Sequence, residues 1–106
     1  MNCVHLRFYT RALEEYHSVF LYEWLLLLAR RLGIHAGVAI QAIAGFGYLG
    51  DAGSCHVEEL ATSRPIIVEF NVSDEEADKL LGMIAAEDLR VPYTRHVVEY
   101  HGGFTA

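Results

Sequence analysis

The stretch GIHAGVAIQAIAGFG, residues 33–47, decides the fold of this chain. Gly33 follows a long apolar run and stands where a helix C-terminus commonly takes a glycine. The segment Val38–Ala44 is apolar at nearly every position and has the length of a strand, which predicts a strand covered on both faces. It ends in the Gly-Phe-Gly sequence of Gly45–Gly47, where a loop begins that runs to Ser54.

The glycine-rich loop has two interpretations. A strand that ends in glycines brings unhindered backbone N–H groups close to a ligand, most often an anion. The same glycines also supply ordinary turn geometry in proteins that bind nothing there. A short glycine motif is a weak signal by itself, so the surrounding chain has to decide between the two.

Two elements are predicted before this stretch. Apolar and polar residues alternate in Cys3–Thr10, which indicates a strand with one apolar face. Ser18 is positioned as the N-cap of a helix that runs from Val19 to about Leu32. Apolar residues form a wide stripe along this helix, so we expect it to contact more than one neighbouring element.

Two further elements are predicted after the loop. Cys55–Leu60 has the composition of a resumed extended segment, and Pro65–Val72 alternates clearly, with one apolar face. Ser73 and Glu76 have the spacing of a capping box, which starts a helix that ends near Asp88.

The last predicted strand, Val91–Tyr100, completes the order β-α-β-β-α-β. That order predicts an α+β, ferredoxin-like fold, in which an antiparallel four-stranded sheet carries two helices on one face. The other face would be bare, although Val38–Ala44 has the composition of a strand buried on both sides. Another subunit is the simplest cover for that face, so we expect an oligomer.

Composition places further limits on the function. The chain has 106 residues and a formal net charge of −6, and we expect a single domain over residues 1–106. The acidic balance argues against a nucleic-acid partner, because such proteins carry basic patches. Two cysteines do not make a disulfide framework, and neither a signal peptide nor a membrane-spanning run is visible. We therefore expect a cytoplasmic protein without membrane insertion.

The chain resembles PII signalling proteins in the region that decides its fold. In those proteins a helix ends in Gly-Ile, as at Gly33-Ile34, and the following strand runs into a Gly-Phe-Gly motif, as at Gly45–Gly47. The whole chain is similar to a short PII-like family known as domain of unknown function 190. That similarity spans roughly residues 6–100 and is carried by four segments: Leu21–Glu23, Gly33–Gly47, Pro65–Phe70 and Asp74–Glu76.

The resemblance implies a PII-like signal-transduction protein that assembles as a homotrimer. Its ligand sites would lie in the clefts between subunits, at the base of the loop. PII proteins bind adenine nucleotides there, and their loop docks on a protein target such as a transporter or an enzyme. Carried over by position, Gly45, Phe46 and Gly47 are the expected ligand-binding residues, with an adenine nucleotide as ligand and no other cofactor.

The phosphate-binding part of the expected site departs from the PII pattern. The glycine-rich, lysine-bearing segment that holds phosphates in PII proteins is missing, and Glu87–Arg90 stands in its place. The phosphates of a bound nucleotide would need arginines such as Arg90 or Arg95, in part from a neighbouring subunit. The alternative for these arginines is an ordinary solvated or ion-paired role.

An enzyme is one alternative to a signalling protein. Small ferredoxin-like proteins include oxygenases and isomerases, and Tyr22, Trp24 and the histidines would supply such a site. No serine or cysteine stands in a recognisable catalytic motif with a base, so we expect a protein that is not an enzyme.

A metal-binding trimer is the other alternative. It would use Cys55-His56 and the scattered histidines, of which His5 and His96 lie on strands whose open faces would meet in a trimer. Three or four converging ligands are needed, and one Cys-His pair does not specify them, so no metal site is predicted.

Overall fold

The computed structural model describes residues 2–45 and 64–102. Within them, a four-stranded antiparallel sheet and two helices form the predicted α+β arrangement. The elements, in chain order, are β1 (Asn2–Arg11), β2 (Glu15–Tyr16), β3 (Val19–Phe20), α1 (Leu21–Arg31), β4 (Gly37–Gln41), β5 (Pro65–Val72), α2 (Asp74–Ala86) and β6 (Tyr93–Glu99).

The strand order in the sheet is β4-β5-β1-β6, so β4 and β6 are its two edges. The central strands β1 and β5 pair from Val4 opposite Val72 to Arg11 opposite Pro65. The short strands β2 and β3 form a separate hairpin between β1 and α1. Apart from that hairpin, the order and strand directions are those of the ferredoxin-like fold, and the predicted fold class is confirmed.

The core lies on one face of the sheet. Alternate residues of β1 and β5, such as Leu6, Phe8 and Val68, are fully buried beneath the helices, and the residues between them point to the opposite face. The helices contribute buried residues at helical spacing: Leu21, Leu25, Leu28, Ala29, Ala77, Leu80 and Ile84. Neither helix covers the opposite face, which we call the open face.

The start of α2 agrees with the prediction. The Ser73 side chain accepts a hydrogen bond from the Glu76 backbone N at 3.1 Å, and the Glu76 carboxylate accepts one from the Ser73 backbone N at 3.0 Å. The helix ends at Ala86, and Asp88, with a φ of 57°, turns the chain toward β6. The capping box is therefore confirmed.

The start of α1 differs from the prediction. The helix begins at Leu21, and Phe20 is its N-cap without any side-chain hydrogen bond. Ser18 is not the N-cap because it lies in the turn of the β2–β3 hairpin. The φ angles of His17 and Ser18 are 51° and 68°, the left-handed values that a two-residue hairpin turn requires, whereas an N-cap residue is extended.

The hairpin is held against both helices by one tyrosine. The Tyr16 hydroxyl donates a hydrogen bond of 2.5 Å to the carboxylate of Glu87, just after α2. The Tyr16 ring also meets the Trp24 ring of α1 edge-on, with centroids 4.9 Å apart. This insertion therefore couples the beginning of α1 to the end of α2.

The two edge strands are shorter than predicted. β4 spans Gly37–Gln41 rather than Val38–Ala44, and each of its residues is exposed in the single chain. β6 spans Tyr93–Glu99 rather than Val91–Tyr100. The extended segment predicted at Cys55–Leu60 lies outside the described residues. The burial on both faces that the sequence predicts for this strand is therefore not present among the described residues of the single chain.

Gly37 begins β4 where the ring of Phe70 lies against its backbone. A Cβ atom on Gly37 would be 2.3 Å from Cε1 and 2.6 Å from Cδ1 of that ring. Because Phe70 is buried in the core, moving its ring away from Gly37 would disturb the packing of that core. This close approach requires a glycine.

We expect Gly37→Ala to lower the free energy of unfolding by about 1–3 kcal/mol, the usual cost of overpacking a core. Gly82→Ala is a matched control, because Gly82 lies within α2 and a Cβ there meets nothing within 4 Å. Alanine in a helix is favoured over glycine by about 0.5–1 kcal/mol, so the control should gain stability. Urea unfolding at one protein concentration measures the free energy of unfolding of each variant. Equal values for Gly37→Ala and Gly82→Ala would contradict the contact.

We expect Tyr16 to ionise at a higher pH than a tyrosine in an unfolded chain. Its hydrogen bond to Glu87 raises the pKa of Tyr16 to about 12, above the value of about 10 for an unfolded chain. The stabilisation is therefore present below about pH 10 and is lost as the pH rises toward about 12. An absorbance titration should lose a step near about pH 12 in Tyr16→Phe and show that step at lower pH in Glu87→Gln. A titration curve that is unchanged in that range in Tyr16→Phe would refute the assignment.

Candidate functional site

The candidate site is the end of the sheet at which β4 leads into the loop. β1 ends there, and β5 and β6 begin there. Three backbone hydrogen bonds of 2.9 Å join the connecting segments: Ala42 N to Pro65 O, Ala12 N to Arg64 O, and Tyr9 N to Pro92 O. These bonds fix the place where the loop leaves the sheet.

Gly45 is the one predicted loop residue that the structure describes. It is half-buried against Pro65, and a Cβ on Gly45 would lie 3.1 Å from Pro65 Cγ. Phe46 and Gly47 lie outside the described residues. Ile43, two positions before Gly45, is 94% exposed, so apolar contact area is available beside the loop base.

Arg90 lies at the same end of the sheet, in the connection from α2 to β6. Its neighbour Val91 is buried in the core, which holds the backbone in place, while Arg90 itself is exposed. Among the described residues, Arg90 has no hydrogen-bond or ion-pair partner. Its guanidinium is therefore available to an anionic ligand.

Arg95 has a different environment. Its Nη1 donates to Asp78 at 2.8 Å and its Nη2 to Asp74 at 2.9 Å, which ties β6 to the first two turns of α2. The hydrogen bonds to Asp78 and then Asp74 raise the pKa of Arg95. A phosphate bound by Arg95 would have to displace these carboxylates, so its predicted ligand role stays a prediction.

The loop base and Arg90 share an end of the sheet but not an edge. Gly45 follows β4 at one edge, and Arg90 precedes β6 at the other. Adjacent strands are about 4.8 Å apart, so these edges are separated by roughly 14 Å across β5 and β1. One chain alone therefore does not bring the two predicted binding elements together.

The open face carries a polar network on its central strands. Arg7 Nε donates to Glu69 Oε2 at 2.8 Å, and His5 Nδ1 lies 2.8 Å from Asn71 Oδ1. The rings of His5 and His96, which are paired across β1 and β6, have centroids 5.1 Å apart. Apolar side chains, such as those of β4, flank this network.

Sequence reasoning placed His5 and His96 on open faces but missed the Arg7–Glu69 pair. Arg7 and Glu69 each stand at a polar position of a strand in which apolar and polar residues alternate, and that pattern indicates side chains that point away from the core. Which polar residue of β1 faces which of β5 depends on the register, and no local pattern states the register.

A surface cavity of about 340 Å³ opens between the end of α1 and the start of β4. Leu26, Ile34 and Phe70 form apolar walls, and Arg30 and His35 are polar lining residues. The cavity adjoins Gly37, four residues and about 13 Å along β4 from the end that leads to the loop. It is therefore separate from the loop base.

Residues 2–45 and 64–102 contain neither a cluster of metal ligands nor a membrane-spanning helix. No group of three or more histidine, cysteine or acidic side chains in these ranges is arranged to hold a metal ion. Cys55 and His56 lie outside them. No helix of the described chain is long and apolar enough to cross a membrane.

The chain is similar to known proteins both in sequence and in fold. The UPF0166 protein of Aquifex aeolicus (strain VF5) is 28% identical over 96 residues, which cover 83% of this chain and 91% of that protein. A PII-like signalling protein of Thermus thermophilus superposes with a TM-score of 0.64 at 19% identity, over 92% of this chain and 88% of the other.

CPII, a nitrogen regulatory PII-like protein from Thiomonas intermedia K12, superposes with a TM-score of 0.66 at 14% identity, over 98% of both chains. That structure of CPII contains ADP, AMP and bicarbonate. At these identities the likeness establishes the fold.

The sequence comparison with protein families covers most of the chain. Residues 3–98 match the family DUF190, which is described as Uncharacterized ACR. This agrees with the resemblance carried by the Gly33–Gly47 stretch, and the structural neighbours agree with it as well. The chain belongs to the DUF190 family, and its fold is that of PII-like signalling proteins.

Proposed function

We propose that this chain is a trimeric, PII-like regulatory protein without catalytic activity. It binds a small ligand, an adenine nucleotide, in the clefts between subunits at the base of the Gly45–Gly47 loop. Ligand binding changes how that loop meets a protein partner, such as a transporter or an enzyme.

The position of the loop base and Arg90 carries this proposal. They lie at one end of the sheet and at opposite edges, roughly 14 Å apart within a chain. In a ring of identical chains every contact is head-to-tail, so two different surfaces of the chain meet at it. In the proposed trimer these surfaces are the β4 edge of one copy and the β6 edge of the next. The loop base of one copy then meets Arg90 of its neighbour, and each cleft acquires both elements.

The exposed apolar residues of the open face support the assembly. On β4, Val38 is 51% exposed and Ile40 47% exposed, and both point to the face that no helix covers. Branched apolar residues exposed together on an edge strand are an aggregation hazard in a monomer. Sister copies that cover the open face remove that hazard.

The chemistry of the cleft suits a nucleotide phosphate. Backbone N–H groups of a glycine-rich loop approach an anion closely, and an arginine makes two parallel hydrogen bonds to phosphate oxygens. The ADP and AMP in the CPII structure support an adenine nucleotide as the class of ligand. Of the two predicted arginines, Arg90 has no partner among the described residues, whereas Arg95 joins only by leaving Asp74 and Asp78.

We expect calorimetric titration to detect binding of at least one of AMP, ADP, ATP and cyclic AMP, with bicarbonate tested alone and together with each. Arg90→Ala should weaken that binding about 10- to 100-fold, the effect of losing a charge-assisted hydrogen bond. Arg31→Ala is the control, since Arg31 is an exposed arginine at the end of α1, toward the opposite end of the sheet. No binding by any compound, or equal loss in both variants, would count against the proposed site.

We expect the purified protein to sediment at three times the 11.9 kDa mass of one chain. Ile40→Lys should give monomers, because it places a charge on the apolar part of the open face. Leu27→Lys is the control: Leu27 is 46% exposed on α1, away from the open face, and should leave the trimer intact. A monomeric wild type at neutral pH would refute the assembly.

A further inference from the structure

His5 lies on the central strand β1, within the open face and between two side chains of β5. Its Nδ1 is 2.8 Å from Asn71 Oδ1, and its Nε2 is 3.7 Å from Glu69 Oε2. The amide oxygen of Asn71 only accepts, so Nδ1 carries the hydrogen of this bond. Neutral His5 therefore presents the lone pair of Nε2 toward a carboxylate.

This arrangement leaves one shielded acceptor without a partner. His5 Nε2 has no hydrogen-bond partner among the described residues and is closed off from solvent. An unpaired acceptor away from water is destabilising, and the facing carboxylate oxygen adds repulsion. Two changes relieve it: a proton on Nε2, or a donor from a surface that covers the face.

The charged and titratable groups around His5 come from three strands. β1 contributes Arg7 and the thiol of Cys3, β5 contributes Glu69, and β6 contributes His96. β4 contributes apolar side chains to this face. Because Arg7 already neutralises Glu69 through the 2.8 Å hydrogen bond, the cluster is neutral when both histidines are neutral. A proton on His5 makes it positive.

We propose that protonation of His5 controls subunit assembly: the trimer forms when His5 is neutral and separates when it is protonated. This inference rests on the trimer proposed above, in which sister copies cover the open face. In that trimer the interface covers the cluster of every subunit. Covering the cluster costs less free energy when its net charge is zero, whereas protonated His5 adds to each subunit a buried charge without a counter-ion of its own, since Glu69 is already paired with Arg7.

The direction of the pH effect follows from proton binding. Imidazole is the side chain that ordinarily gains a proton between about pH 8 and pH 5. Separate chains accept that proton and the trimer excludes it, so lower pH favours separate chains. The association constant of the trimer should fall about tenfold per pH unit for each proton that a separated chain takes up. When all three chains take up a proton, the fall reaches up to about a thousandfold per pH unit.

Sedimentation velocity at about pH 7.5 and about pH 5.5, either side of the ordinary imidazole range, tests the switch. Wild type should be trimeric at the higher pH and largely monomeric at the lower pH. His5→Gln should stay trimeric at both, because its amide takes no proton in this range. His101→Gln is the control, an exposed histidine paired with Glu99 beyond the network, and it should follow wild type. Circular dichroism at both pH values shows that each chain remains folded.

The outcomes distinguish this inference from the proposed function. A wild type that is monomeric at about pH 7.5 contradicts the trimer itself. A wild-type trimer at both pH values leaves the assembly standing and overturns the role of His5. Dissociation of His5→Gln together with wild type also overturns it, since another group would then be responsible.

A second measurement covers the case in which His5→Gln does not fold. Nuclear magnetic resonance of the wild-type imidazole signals should show His5 taking up its proton only as the trimer dissociates. Proton uptake by His5 within an intact trimer would overturn the inference.

Discussion

The pairing of β1 with β5 is the interaction on which the rest of the structure depends. The two central strands run side by side from Val4 to Arg11, and their shared register sends one row of apolar side chains into the core. The helices cover that row and leave the opposite face of the sheet open. As a result, a domain of this size has a packed side and an open side, and its possible functions follow from what happens on the open one.

The open side is neither purely apolar nor simply solvated. Its centre holds an ion pair and two histidines, and its β4 edge is apolar. A surface of this kind suits an interface between copies that associate reversibly, because the cost of covering its polar centre depends on the charge of that centre. An entirely apolar face would make a permanent interface.

Much of the fold was predictable from local pattern. Alternation identified β1 and β5, the wide apolar stripe identified α1, and the spacing of Ser73 and Glu76 identified the start of α2 to the residue. The order of these elements then gave the ferredoxin-like topology, because few arrangements satisfy it.

The errors have a common physical cause, which is contact between residues far apart in the chain. Ser18 has the composition of an N-cap, but the β2–β3 hairpin, anchored by Tyr16 to Glu87, takes it into a turn. Propensity describes a residue and its neighbours, and these partners are up to 71 positions away.

The site was predictable only in part for the same reason. The glycine motif predicts a loop base at Gly45, and the structure adds that Gly45 is half-buried against Pro65. Arg95 has the composition of a phosphate ligand, but α2 delivers two aspartates to it. The separation between the loop base and Arg90 was not predictable in this way, because it depends on which strands form the two edges of the sheet.

The contact between Gly37 and the Phe70 ring also determines the alignment of β4. Sliding this strand by one residue would bring Ala36 or Val38 under the ring, and neither has room for its Cβ there. The contact therefore fixes the register of β4, and with it the position along the sheet at which the loop begins.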